Sequence, residues 1–227
     1  MFGMIKVSKN IYVDPDLSDA EISKIKLLYD SARALNIEFY GELKTNPAII
    51  VCSTAKYDKK FGIKSKGRTH GQRVLIGSTG IKTEIIAHEW SHCELHKKIR
   101  CFDWKKFVGS RKKMIPWWFD EGLAVYVSKD PRYYQIHWRY KYIHFGVDIP
   151  EFEEIKSKDL GELVKNNIPV YAIVYEEVER WIKITGYDGI KELISRTTQG
   201  ENFETVYKNI EKNLKNLAKV KPKEQLE

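Results

Sequence analysis

His88-Glu89-Trp90-Ser91-His92 stands inside a run, Thr83 to Arg100, whose pattern predicts a helix. Two histidines four residues apart lie about 40° apart around a helix of 3.6 residues per turn. One face therefore offers two imidazoles close enough for a single metal ion to bridge. Zinc accepts neutral imidazole nitrogen at about 2.0–2.1 Å. Glu89 lies between the two ligands in sequence and can reach a water held beside them, which makes it the candidate general base. Ile85, His88, His92, Leu95 and Ile99 follow the i, i+3, i+7 spacing of one buried stripe, so both histidines are expected to aim inward. Lys97, Lys98 and Arg100 suit the negative end of the helix dipole. The competing reading is a pair of core histidines satisfied by backbone carbonyls. A third ligand decides between the two.

Catalytic zinc usually takes three protein ligands and leaves one position for water. Glu121 is the candidate third ligand, with 28 residues between it and His92. It stands in the segment Trp117 to Val127, which reads as a second buried helix. Buried glutamates are rare unless paired or metal-bound, and this one has Trp117, Trp118, Phe119, Leu123 and Val125 around it in sequence. Gly122 and Ala124 are small enough to let this helix approach the motif helix closely.

Together, His88-Glu89-x-x-His92 and Pro116-x-Trp118-Phe119-x-Glu121-Gly122-Leu123-Ala124 resemble the gluzincin zinc metallopeptidases, over residues 45 to 210 or so. Tyr171-Ala172, Trp181, Gly186-Tyr187-Asp188-Gly189, Leu193-Ile194 and Gly200-x-x-Phe203 are similar to the C-terminal part of bacterial peptidase-MA-like proteins. The resemblance implies a zincin-like fold, with Zn²⁺ held by His88, His92 and Glu121. It implies peptide-bond hydrolysis, as an endopeptidase, through a metal-activated water with Glu89 as general base. It also implies a tyrosine or histidine donating to the tetrahedral oxyanion. Tyr171 is the choice here, with His137 and Tyr140 as rivals and a packed tyrosine at a helix start as the alternative. The thermolysin-like pattern carries an aspartate four residues after its ligand glutamate. Val125 occupies that position here, so a carboxylate that orients a ligand must come from elsewhere. The ligand spacing is longer than in the aminopeptidase branch, and that activity is not implied.

The other conspicuous residues have plainer readings. Three ligands from one helix would give poor tetrahedral geometry, so His96 is not read as a ligand. His70 reads as a surface loop histidine, with lining the cleft as the alternative, and Asp120 reads either as an acid near a helix N-terminus or as a group that orients something near the metal. Cys93 sits about 100° round the helix from His92 and reads as a small buried residue. With Cys52 and Cys101 it makes three cysteines, too sparse and odd a set for a disulfide framework.

The 227 residues suffice for a substantial core, either one large domain or two packed subdomains. The expected architecture is α+β: a small mixed sheet and the motif helix, followed by a helical C-terminal subdomain. The expected division is 1–129 for the first part, carrying both motif helices, and 130–227 for the second. Ile5 to Val13 reads as a strand. Ser18-Asp19-Ala20-Glu21 is a capping box opening a helix that should end near Asn36. Ile37 to Tyr40 and Ala48 to Cys52 read as strands. Residues 53 to 72 read as loop, with a helical turn near Tyr57. Arg73 to Gly77 reads as the edge strand, to which an extended substrate could add. Residues 101 to 116 form a cation-rich connection, and 130 to 145 are dense in aromatics and arginine. Helices are expected over Tyr171 to Thr185, Tyr187 to Thr197 and Phe203 to about Leu217, punctuated by Gly186 and Gly200. Lys219 to Glu227 reads as a charged, frayed end.

The net charge of +8 raises an acidic partner, although the lysines are spread along the chain and no nucleic-acid motif is present. A peptide or protein substrate is the expected partner. No run of 18 apolar residues exists, so no transmembrane helix is expected. Residues 1–6 are too short for a secretory signal, which favours the cytoplasm unless an anchor precedes them. Two other functions stay open: a catalytically degenerate zinc-binding interaction protein, and a basic module for nucleic acid or an anionic membrane.

Overall fold

The computed structural model describes residues 3–99, 115–133, 137–146 and 148–220. The fold is α+β, with a five-stranded sheet of mixed direction. The strands are β1 (Ile5–Ser8), β2 (Ile11–Val13), β3 (Ala48–Val51), β4 (Gly67–His70) and β5 (Arg73–Ile76), in the order β1-β2-β3-β5-β4. β2, β3 and β5 run parallel; β1 and β4 pair antiparallel at the two edges. Ile5 to Val13 is thus a hairpin of two strands, and the segment from 53 to 72 contains an edge strand. β5 is an interior strand; the edge expected there belongs to β4, which pairs Gly67 with Ile76 and His70 with Arg73.

The chain clusters into two compact units, Met1–Lys97 with Leu123–Ile149, and Lys98–Gly122 with Pro150–Glu227. In the first, side chains alternate across the sheet as the pleat requires. Ile11, Val13, Ile49, Val51, Val74 and Ile76 bury one face against α1 (Asp19–Tyr40) and α3 (Thr83–Lys98). Ile50 and Cys52 turn to the other face, with Met4, Ile63 and Tyr57 of α2 (Ala55–Phe61).

α1 opens on the expected capping box: Ser18 N–H donates to Glu21 Oε2 at 2.8 Å, and Glu21 N–H donates back to Ser18 Oγ at 3.4 Å. The helix then runs past Asn36 to Tyr40, through the segment expected as a strand. Asn36 does not stop it because its amide is buried and donates to Ala32 O at 3.0 Å and Ala87 O at 3.1 Å.

The motif helix α3 is buried almost all round, at Ile85 to Ala87 and from Glu89 to Leu95, rather than along one stripe. The polar groups this covers have partners. Glu94, fully buried, accepts from Lys44 N (2.8 Å), Thr45 N (2.9 Å) and Thr45 Oγ1 (2.7 Å). Trp90 Nε1 donates to Thr45 Oγ1 at 3.1 Å. The Tyr40 and Ser91 hydroxyls lie 2.9 Å apart. A buried carboxylate with three donors is the form in which such a charge is tolerated. These bonds fix the rotation of α3 and hence the direction of its histidines.

The second unit is built on aromatic packing. Trp118 and Phe119, in the first turn of α4 (Trp117–Ser128), meet Phe203 and Tyr207 of α9 (Phe203–Val220) edge-on at 5.0–6.0 Å. Trp181 of α8 (Val170–Thr198) stacks on Tyr207 at 4.6 Å and donates from Nε1 to its carbonyl. α8 breaks at Gly186 (φ 65°), the expected punctuation. Gly122 serves this unit: a Cβ there would lie 2.5 Å from Val174 O. Its smallness therefore admits α8. Three short helices complete the fold, α5 (His137–His144), α6 (Phe152–Ile155) and α7 (Leu160–Lys165). Cys101 and the cation-rich segment to residue 114, the His137 side chain and residues 221–227 lie outside what is described.

Candidate metal centre

His88 and His92 fall on one side of α3 because four residues make slightly more than one turn. Their Nε2 atoms are 3.2 Å apart and their rings stand nearly perpendicular, at 84°. A tetrahedral ion with zinc–nitrogen bonds near 2.05 Å sets its ligand nitrogens about 3.3 Å apart. Two imidazole edges converging at this distance suit one ion.

α4 is a single helix that runs through the boundary at Gly122–Leu123, with Glu121 one residue before it. One ligand atom from each of His88, His92 and Glu121 lies within 4.8 Å of the others. Two imidazoles and a carboxylate are a donor set that zinc accepts with an open fourth position. His92 also belongs to a second group, with His96 and Asp120, whose ligand atoms likewise lie within 4.8 Å of one another. The sequence does not read His96 as a ligand. The helix brings it there because it lies four residues beyond His92, with ring centroids 6.1 Å apart. The two groups share His92, so they offer alternative placements of one ion.

Glu89 is 8% exposed and turns toward the edge strand. Thr69 Oγ1 lies 2.7 Å from Glu89 Oε2 and 2.8 Å from the Glu89 carbonyl oxygen. Gly67 leaves the space the carboxylate uses: a Cβ there would stand 2.8 Å from Glu89 Cγ and 2.9 Å from Oε1. β4 thus holds the candidate base, although its polar sequence gave no strand signal. Thr69 and Gly67 were missed for that reason.

Asp130 was missed as well. It is 1% exposed, just beyond α4, and is gripped by Arg132, whose Nε lies 2.9 Å from Oδ1 and 3.0 Å from Oδ2 and whose Nη2 also contacts Oδ2. Burial opposes its charge, but the Arg132 guanidinium and backbone N–H outweigh that. The His88 imidazole adds a smaller favourable contribution, and the carboxyl is held below the ordinary aspartate range. An Asp-Pro-Arg turn gives no sequence signal that its aspartate is buried.

The remaining candidates are placed as follows. Tyr171 is half-buried in the first turn of α8. Its rival Tyr140 is 68% exposed on α5. His70 is exposed at the end of β4. Cys93 is fully buried with Sγ 3.3 Å from Gly71 O, and burial pushes its thiol up to about 12, the opposite of what a thiolate ligand needs. Among the described residues, no helix is long and apolar enough to cross a membrane.

Comparison of this chain with protein-family models and with curated proteins finds no match.

Proposed function

We propose that the protein is a zinc-dependent metallopeptidase of zincin-like fold. The observation that carries this reading is the convergence of His88, His92 and Glu121 within 4.8 Å, with Glu89 between the two histidines in sequence. The gluzincin-like pairing of H-E-x-x-H with W-x-x-E-G-x-A supports it, as does the antiparallel edge strand packed on Glu89.

His88, His92 and Glu121 would hold the ion. Bound zinc supplies Lewis acidity and a water that loses a proton near neutral pH. Glu89, contacted by Thr69 Oγ1, would take that proton and pass it to the leaving amine. Asp130 is fixed by Arg132 just beyond α4, the helix that carries Glu121. β4 offers an edge to which an extended peptide can add by main-chain hydrogen bonds. Tyr171 is the proposed donor to the oxyanion, resting on the sequence resemblance.

The test is metal analysis joined to a peptide-library digest. The protein should carry about one zinc per chain and cleave peptides in a chelator-sensitive way. Glu89→Gln should keep the zinc and lose cleavage by about 10²-fold or more. Substoichiometric zinc after full loading would sink the metal reading. A zinc-replete protein with no cleavage of any peptide would point instead to a zinc-binding interaction protein.

A further inference from the structure

We infer that the β4 edge selects extended peptides carrying an acidic side chain at the residue opposite Arg68. The inference rests on the peptidase reading and adds a substrate class to it. Gly77 N–H donates to Lys66 O at 2.9 Å, one step beyond the Gly67–Ile76 pair. Bonded and non-bonded pairs alternate along an antiparallel ladder. That bond therefore fixes the phase: Arg68 and His70 turn their main-chain groups to β5, and Gly67 and Thr69 turn theirs outward. Among the described residues no strand pairs with β4 on its outer side. A peptide adding there as an antiparallel strand would bond to Gly67 and Thr69. Its residue opposite Arg68 would then stand in a non-bonded pair, where facing side chains come closest.

Charge decides which peptide. Gly67 and Thr69 face Glu89, so the pleat sends Arg68 and His70 to the other face. His70 pairs with Arg73 across the hairpin, which sets Arg73 on that same face, diagonal to Arg68. All three are exposed. Residues 59–83 contain no Asp or Glu, and Lys64 and Lys66 lead into the strand. Among the described residues neither Arg68 nor Arg73 has an ion-pair partner. Asp58, the acid of α2, instead accepts from Ser78 N at 3.0 Å and Ser78 Oγ at 2.6 Å. A carboxylate on the added strand would meet these cations, since opposite charges facing each other across a strand pair attract. A second copy of β4 would set cations against cations. Nucleic-acid phosphate could meet the cations but offers no donor to the outward carbonyls of Gly67 and Thr69.

The experiment is a positional scan with peptides of one sequence that carry Glu, Gln or Lys at each position in turn. Cleavage is read with the zinc-loaded full chain, and binding by fluorescence anisotropy with zinc-loaded Glu89→Gln. At one position Glu should exceed Lys by about fivefold in both kcat/KM and affinity. Arg68→Gln should abolish that preference and Arg68→Glu reverse it, with an unchanged circular-dichroism melt because the side chain is exposed. Cleavage without a preference for acid, or a preference that Arg68→Glu leaves intact, would overturn the inference while the peptidase reading stands. Binding that depends on the acid and on Arg68, with no cleavage of any peptide, would support the inference and remove the peptidase reading. An Arg68→Glu chain that self-associates without any change in peptide preference would make the cation a guard against edge pairing, and overturn it. Tighter binding to duplex DNA than to any acidic peptide would overturn it too.

Discussion

Thr69 Oγ1 sits 2.7 Å from the Glu89 carboxylate, so the edge strand and the motif helix meet at the residue proposed as the base. A hydroxyl in that place sets the orientation of the carboxylate without taking part in bond making. Thr69→Val keeps the shape and removes the donor. It should leave zinc content unchanged and lower kcat by about tenfold, the scale of a lost outer hydrogen bond at a metal site. Steady-state kinetics with metal analysis on the same sample checks it. An unchanged kcat would show that Glu89 is held by its packing alone.

Gly67 makes the same contact from the other side. A methyl there would collide with Glu89 Cγ and Oε1, the movable end of a side chain rather than backbone. Gly67→Ala should therefore displace the carboxylate, at little cost to the fold. Turnover should fall by about tenfold or more while the melting temperature moves by a few degrees at most. A large fall in melting temperature with normal specific activity in the folded fraction would reverse this assignment.

How much of this could be read from the chain follows from how each residue is satisfied. The His88–Glu89–His92 face was legible because its chemistry is local and has the helix period. The Ser18–Glu21 box was legible for the same reason, since both partners lie within one turn. β4 was not: Gly67-Arg68-Thr69-His70 has no apolar alternation, and the strand exists because β5 pairs with it. Asn36 reads as a helix end, yet it is buried, and so is Glu94. Their partners, Thr45 and Ala87, are about 50 residues away and set by tertiary packing, which no local pattern records. Gly122 marked a close approach, and α8 makes one there.

The two groups that share His92 make opposite predictions. If His88, His92 and Glu121 hold the ion, Glu121→Ala should weaken zinc binding by about 10²-fold or more, and His96→Ala should change it little. Competition with a chromophoric chelator measures both. The reverse ranking would move the ion to His92, His96 and Asp120 and leave Glu89 without a role in the reaction.

The last prediction concerns acid. Arg180 Nη1 lies 2.7 Å from Glu211 Oε1, and Nη2 lies 3.0 Å from Oε2, tying α8 to α9. The Arg180 guanidinium, joined by Lys215, outweighs partial burial and holds the Glu211 carboxyl at about 2. Its folded value is depressed, so the unfolded chain binds more protons at this group between the two values. The stabilisation is therefore complete above the ordinary carboxylate range, and it is lost as pH falls through that range toward about 2. The pair is partly solvated, which limits its contribution to below about 1 kcal/mol. Urea unfolding of the wild type and Glu211→Gln should differ by that amount at pH 6. The gap should shrink steadily on acidification to pH 3. A gap that stayed constant with pH would assign the effect of the substitution to packing rather than to the ion pair.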